Sequence, residues 1–281
     1  MGSMWLVGSN GLYCGSPLEG WQAIGAYSFP VNGIAQLGKQ KILAAETGFW
    51  CVPEGNGRWI QWHDETLTSV LGVVPVPVGV GVVTASAYGI ATGELDNIGS
   101  PRWTWHSDGL SVNARYSNVV LVDPNNAVRW IVGTETGVLV REHGEGRWVH
   151  TSLVGHPVRA LCYAAGVFWA GADGGGVWRS EDGVSWLQAG TGLKGTTVFS
   201  LAWTGDRLIA GLDGGIAVGT GEGRWIKTGP NIRVRTIGAD GDLWLAGANP
   251  GGLWFSETRG KVWRKTGDFI SVRTLSRQEV G

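Results

Sequence analysis

Three cysteines and two methionines in 281 residues leave little room for sulfur chemistry. Cys14, Cys51 and Cys162 form neither a metal-ligand spacing nor an even set for disulfides, which argues against a zinc site and a disulfide scaffold. The plain reading of Cys14 and Cys51 is two small buried apolar residues, and the expected setting is reducing and cytoplasmic. Lysine is also scarce, 6 against 16 arginines, and the formal net charge is −1. Without a basic run the chain lacks the electrostatic footprint of a nucleic-acid or anionic-membrane partner. No signal-peptide pattern opens the sequence, and no uninterrupted apolar stretch is long enough to span a bilayer. The nearest, Val70 to Val83, is interrupted by prolines and glycines and reads as strand, turn and strand. The opening MGSM reads as an expression remnant ahead of Met4. Gly190 to Thr197 lacks the Gly-Lys-Ser/Thr order of a phosphate loop, and no cofactor is expected.

What the chain has in quantity is glycine, 48, and tryptophan, 17. The segment Val158 to Gly190 holds four short runs, VRALCY, VFWAGA, GVWRS and SWLQAG, separated by Gly, Asp and Ser. Each is alternating or continuously apolar over four to six residues, and each break carries turn chemistry, the pattern of a four-stranded antiparallel meander. A lone meander cannot bury its faces, so the pattern recurs. Trp21, Trp59, Trp103, Trp148, Trp186, Trp225 and Trp263 open the fourth runs at intervals of 38, 44, 45, 38, 39 and 38 residues. Seven marks near that period predict an all-β, seven-bladed β-propeller of four-stranded blades, forming one domain over residues 1–281.

The ends of the chain carry the expectation of closure. Ile270 to Leu275 matches the first strands VRALCY and VRTIGA, while MWLVG matches the second strands VFWAG and LWLAG. The C-terminal strand is therefore expected to complete the first blade and remove an exposed edge. The glycines are expected at strand junctions and the tryptophans between blades.

The turn SETRGKVW, Ser256 to Trp263, resembles the Asp-box or bacterial neuraminidase repeat, Ser-x-Asp-x-Gly-x-x-Trp, with Thr258 where Asp is expected. SEDGVSW, Ser180 to Trp186, has the Ser, Asp, Gly and Trp but is one residue short. Elsewhere the box is worn to GRW at Gly57 to Trp59, Gly146 to Trp148 and Gly223 to Trp225. The resemblance implies a sialidase-like propeller in which Asp182 stabilises a turn and is not catalytic. It also implies that the four-one loops and two-three turns share the face where ligands meet the central channel. The Arg-Ile-Pro signature and the Tyr and Glu nucleophile pair of sialidases are not found, so sialidase activity is not expected.

That face is expected to carry three constellations. Arg159, Arg235 and Arg273 occupy matching first-strand positions, and with Arg233 they offer guanidinium groups for a carboxylate, sulfate or phosphate. Glu135, Asp173 and Asp213 are turn acids of consecutive blades that would serve a glycoside hydrolase or lyase as acid and base, or would simply hold their turns. His63, His106 and His156 lie at fourth-strand ends or in the loops that follow. Their uneven offsets, with that of His150, favour ligand contact or aromatic stacking over a metal site. The leading expectation is a monomeric, non-enzymatic binding or assembly module taking a polar or anionic small molecule, a glycan or a protein at the channel mouth. A small hydrolase or lyase is the alternative. Near-minimal blades favour the binder, because they leave few inserted loops to enclose a pocket.

Overall fold

In a computed structural model the described residues are 3–37, 40–52, 59–76, 81–94, 102–142, 146–220 and 223–278. Five four-stranded antiparallel sheets occupy residues 70–105, 117–154, 158–188, 198–228 and 234–266. The remaining strands form one connected sheet in which two blades run together. Its strand Trp5–Ser16 pairs first with Thr274–Arg277 and then with the beginning of Gly20–Leu37. The far half of Gly20–Leu37 turns to Gln40–Ala45 and opens the second blade. Seven blades result.

Closure lies in the pairing of the last strand with the first. Trp5 faces Arg277 and Gly8 faces Thr274 across an antiparallel ladder, and the Arg273 amide donates to the Gly8 carbonyl at 2.8 Å. The innermost strands follow one another round the axis, and that of blade seven touches both its predecessor and the C-terminal strand. Core clusters sit between neighbouring sheets. Trp5, Val7, Leu245, Leu253 and Val272 pack blade one on blade seven, and Ile131, Leu153, Val158 and Phe168 pack blade four on blade five.

The marker tryptophans do two jobs. Trp21, Trp59, Trp103 and Trp148 donate their indole N–H groups to the preceding blade, at Thr266 Oγ1, Ile24 O, Trp62 O and His106 O, over 2.8 to 3.1 Å. Trp186 and Trp263 instead tuck under their own turns, donating to Gly183 O and Gly260 O at 2.9 Å. Each of these six indoles thus buries area and satisfies its one donor.

In the first of these two turns Asp182 Oδ1 accepts from the Val184 and Ser185 amides at 2.8 and 2.7 Å, and Ser180 Oγ accepts from Gly183 N at 2.8 Å. These bonds, the Ser185 amide first, hold the Asp182 carboxyl down near 2. In the second turn Thr258 Oγ1 takes the Asp role for Val262 N at 2.9 Å, and Ser256 Oγ accepts from Gly260 N at 2.9 Å. Of the three GRW turns, Gly57 and Arg58 lie outside the described residues, as do Pro77 to Val80 of the expected strand, turn and strand.

Several expectations need amendment. Glycines do mark turns, but Gly8, Gly133, Gly171, Gly211 and Gly247 lie inside second strands, and a Cβ on any of them would come within 2.9 Å of the following blade. At Gly171 it would meet Val198 Cγ1 at 2.5 Å, and at Gly211 Val234 Cγ1 at 2.7 Å. Close approach of the next first strand, not turn geometry, requires glycine there. Cys51 is buried as expected, which raises its thiol to about 11. Cys14 is only half-buried, with its Sγ 3.1 Å from Gln278 Oε1. The connection from blade three to blade four contains a single helical turn, Val112–Arg115, capped by the Ser111 side chain on Ala114 N.

Candidate functional site

First strands of six blades begin with the same irregularity. The pairing register shifts between Val31 and Gly33, Val70 and Gly72, Ser117 and Val119, Val158 and Ala160, Val198 and Ser200, and Val234 and Thr236. The skipped residue in each case is released from the ladder, as a β-bulge does, and turned toward the axis. Asn32, Asn118, Arg159, Phe199 and Arg235 accordingly line one end of the central channel, joined by Arg273 at the matching site of blade one. Leu71 completes the ring. The cavity they surround measures about 540 Å³.

Within this ring the charges are unevenly balanced. Arg159 is saturated: its Nη1 lies 2.6 Å from Glu135 Oε1 and 2.9 Å from Asn118 Oδ1, and its Nη2 lies 3.2 Å from Asp173 Oδ2. Asn118 donates to the same Glu135 oxygen at 3.1 Å, and Thr197 Oγ1 donates to Asp173 Oδ1 at 2.6 Å. The Thr197 bond is the main reason the Asp173 carboxyl sits below the usual range; burial opposes it, and the Arg159 bond and charge reinforce it. Asp173 is therefore a fixed negative charge on Arg159 and unsuited to donate a proton near neutrality. Asp213 is engaged too, accepting from Arg233 Nε at 2.5 Å on the rim.

Arg235 and Arg273 are different. Among the described residues Arg235 has no hydrogen-bond or ion-pair partner, and its guanidinium lies over the Phe199 ring, 4.6 Å from the centroid. Arg233 approaches the same ring at 5.9 Å. The Arg235 side chain stays open to the channel while its guanidinium is ringed by protein. Burial first, then the positive charges of Arg159, Arg233 and Arg273, pull its proton affinity below the ordinary guanidinium value, and the Asp173 charge opposes them. Arg273 Nε and Ser200 Oγ are buried without partners. Among the described residues two cations therefore face the channel without a hydrogen-bonded or ion-paired acid, close to two more, and unmatched donors lie beside them.

The four arginines named from sequence thus come together, and two of the three acids converge on Arg159. The histidines do not join them. His63 Nδ1 lies 2.9 Å from both Phe49 N and Phe49 O, His106 Nε2 lies 2.8 Å from Thr92 Oγ1 and packs on Trp130, and His156 packs on Trp178. His63 braces its own blade, and His106 and His156 brace the junctions beside them. Among the described residues no three His, Cys, Asp or Glu side chains form a group able to hold a metal. Sequence reasoning found the arginines because Val-Arg repeats. It missed Asn32, Leu71 and Asn118, whose signal is only their place one residue beyond the first buried residue of each inner strand.

Comparison with known proteins gives the fold and nothing narrower. No family model matches the chain, and no curated protein matches it. Solved structures do. The extracellular domain of a one-component system from B. thetaiotaomicron is similar with a TM-score of 0.73 and 17% identity, over 90% of this chain and 36% of that one. The computationally designed Ika8 protein gives 0.69 and 17%, over 99% and 89%. An ancestral GH74 enzyme gives 0.66 and 14%, over 99% and 40%. This chain is a seven-bladed β-propeller. It spans only about a third of the first of these neighbours and two fifths of the third.

Proposed function

We propose that this propeller is a non-enzymatic binding module that takes an anionic ligand, free or borne on a partner, at the channel mouth. The observation that carries the reading is that Arg235 and Arg273 stand together with no bonded acid among the described residues. Leaving two guanidinium groups together in a partly desolvated ring costs free energy, which a carboxylate or another oxyanion would recover through charge-assisted hydrogen bonds. Phe199 and Leu71 supply apolar surface beside the charges for the organic part of such a ligand. Glu135, Asp173 and Asp213 are partners of arginines in this scheme, which speaks for binding over acid-base chemistry.

The propeller is of the Asp-box type on this reading. Its support is the agreement of two turns, Ser180 to Trp186 and Ser256 to Trp263, in using Ser and Asp or Thr oxygens to tie their own amides over a tryptophan. The test is thermal unfolding and titration calorimetry with sulfate, citrate and benzoate, on the native chain and on Arg235→Gln with Arg273→Gln. Stabilisation by at least one anion, lost in the double variant, is the expected result. Equal response of the two proteins overturns the reading.

A further inference from the structure

At the far end of the first strands from the arginine ring, a groove of about 700 Å³ opens between blades five and six. Trp169, Arg179 and Gln188 of blade five line one wall, and Trp203, Arg207 and Trp225 of blade six the other. Its two walls differ in the turn before the fourth strand. In blade five the bonded turn of Ser180 and Asp182 covers Trp186, leaving it 3% exposed. The corresponding turn of blade six has neither residue. Thr220 N bonds the Arg224 carbonyl instead, at 3.0 Å, and Trp225 is left half-buried.

The groups left open there have a consistent chemistry. Trp225 crosses to blade five and presses its Nε1 edge toward Gly190, the placement Trp59 has on Gly25. Yet where Trp59 donates to Ile24 O, the Trp225 N–H has no acceptor among the described residues, and neither does that of Trp203. Arg179 is exposed and has no ion-pair or hydrogen-bond partner among the described residues. Among the described lining residues the one acid is already engaged: Asp206 accepts from Thr204 Oγ1 at 2.8 Å, Arg207 Nη2 at 3.1 Å and Arg259 Nη2 at 2.5 Å. Indole walls and surplus donors with positive charge thus meet in one cleft.

We propose that this groove binds an acidic saccharide, with pyranose faces against the indoles and a ring carboxylate on Arg179. Flat CH surfaces of a sugar match indole area, its hydroxyls accept from the indole N–H groups, and its carboxylate answers the unpaired guanidinium. The volume suits a short oligosaccharide.

The experiment is calorimetric titration of the full chain with a galacturonic acid tetramer and, separately, with maltotetraose, on the Arg235→Gln, Arg273→Gln double variant, whose channel mouth lacks its unpaired cations, and on that double variant carrying Arg179→Gln, Trp203→Phe or Trp203→Ala. The acidic tetramer is expected to bind. Arg179→Gln and Trp203→Ala weaken it about tenfold or more, and Trp203→Phe weakens it less. Unfolding temperatures identify any variant that has lost its fold, and exposed Arg179 gives the decisive substitution in that event. The proposal is overturned by absence of binding, by equal binding of the neutral sugar, or by binding that survives Arg179→Gln.

Discussion

Arg235 lies across the face of Phe199, 4.6 Å from its centroid, and the two come from matching positions of adjacent blades. The ring both orients the guanidinium and shields it on one side, so the free donors face the channel. Replacing Phe199 with Ala removes that support, and a cation–π contact of this kind is worth about 0.5 to 2 kcal/mol. Anion affinity at the mouth, read by calorimetry with the anion found to stabilise the native chain, is expected to fall by about twofold to thirtyfold while the unfolding temperature changes little.

Glu135 makes the opposite case. It holds Arg159 at 2.6 Å, with both side chains partly exposed at 31% and 26%. Such a pair contributes only about 0 to 1 kcal/mol to stability. Glu135→Gln is therefore expected to fold normally and, by releasing Arg159 to the channel, to tighten anion binding. Unchanged or weaker binding would show that Arg159 is not part of the ligand-receiving set.

Asp182 gives a pH signature. Its carboxyl sits at about 2 against an ordinary 3.8, so its bonds contribute in full above the ordinary value and are lost as the pH falls through about 2. Asp182→Asn is expected to cost about 1 kcal/mol near neutral pH, the scale of a lost capping carboxylate. Urea denaturation of both proteins at stepped pH should show that gap closing on acidification.

Gly211 tests how the blades meet. A Cβ there would stand 2.7 Å from Val234 Cγ1 and 2.8 Å from the Val234 carbonyl. Gly211→Val is expected to destabilise the chain by about 1 to 3 kcal/mol, the usual cost of overpacking a tight contact. Gly241→Val, at a turn where added atoms meet nothing within 4 Å, tests left-handed backbone strain alone, since its φ is +58°. If the two variants lose stability to the same degree through unaltered blade contacts, close approach is not the reason for the strand glycines.

Removal of residues 270–281 addresses closure. Without them Trp5, Val7 and Leu245 lose Val272 and the last strand from their shared cluster. The truncated chain is expected to unfold at lower temperature and over a broader range, as an open array of blades does. Calorimetry and gel filtration check this, the latter because the freed edge invites self-association.

Much of this was legible in the sequence because the features repeat. Tryptophan at a near-constant interval marks blades, and the kinship of VRTL with VRAL and VRTI points to closure before any coordinates. The acids and histidines were harder, since a turn residue's meaning depends on what the neighbouring blade presents. Asp173 reads as a turn acid or a catalyst until Thr197 and Arg159 are seen on its two oxygens. The histidines sit at comparable places in the repeat, yet each bonds or stacks within its own blade or the junction beside it. The open groove beside Trp225 is marked in the sequence only by a missing Ser and Asp, and an absence in a worn repeat carries no signal of what lies beside it.

The register shift at the head of the inner strands has one more consequence. A side chain set on that shift lies outside the apolar clusters between sheets and meets chiefly its neighbours on the rim, as Arg159 meets Asn118 and Arg235 meets Phe199, so arginine, asparagine, leucine or phenylalanine can occupy it on one scaffold. The rim of the axis therefore behaves as a keyboard with interchangeable keys. New specificity can be written one blade at a time, without renegotiating the stability of the wheel that carries it.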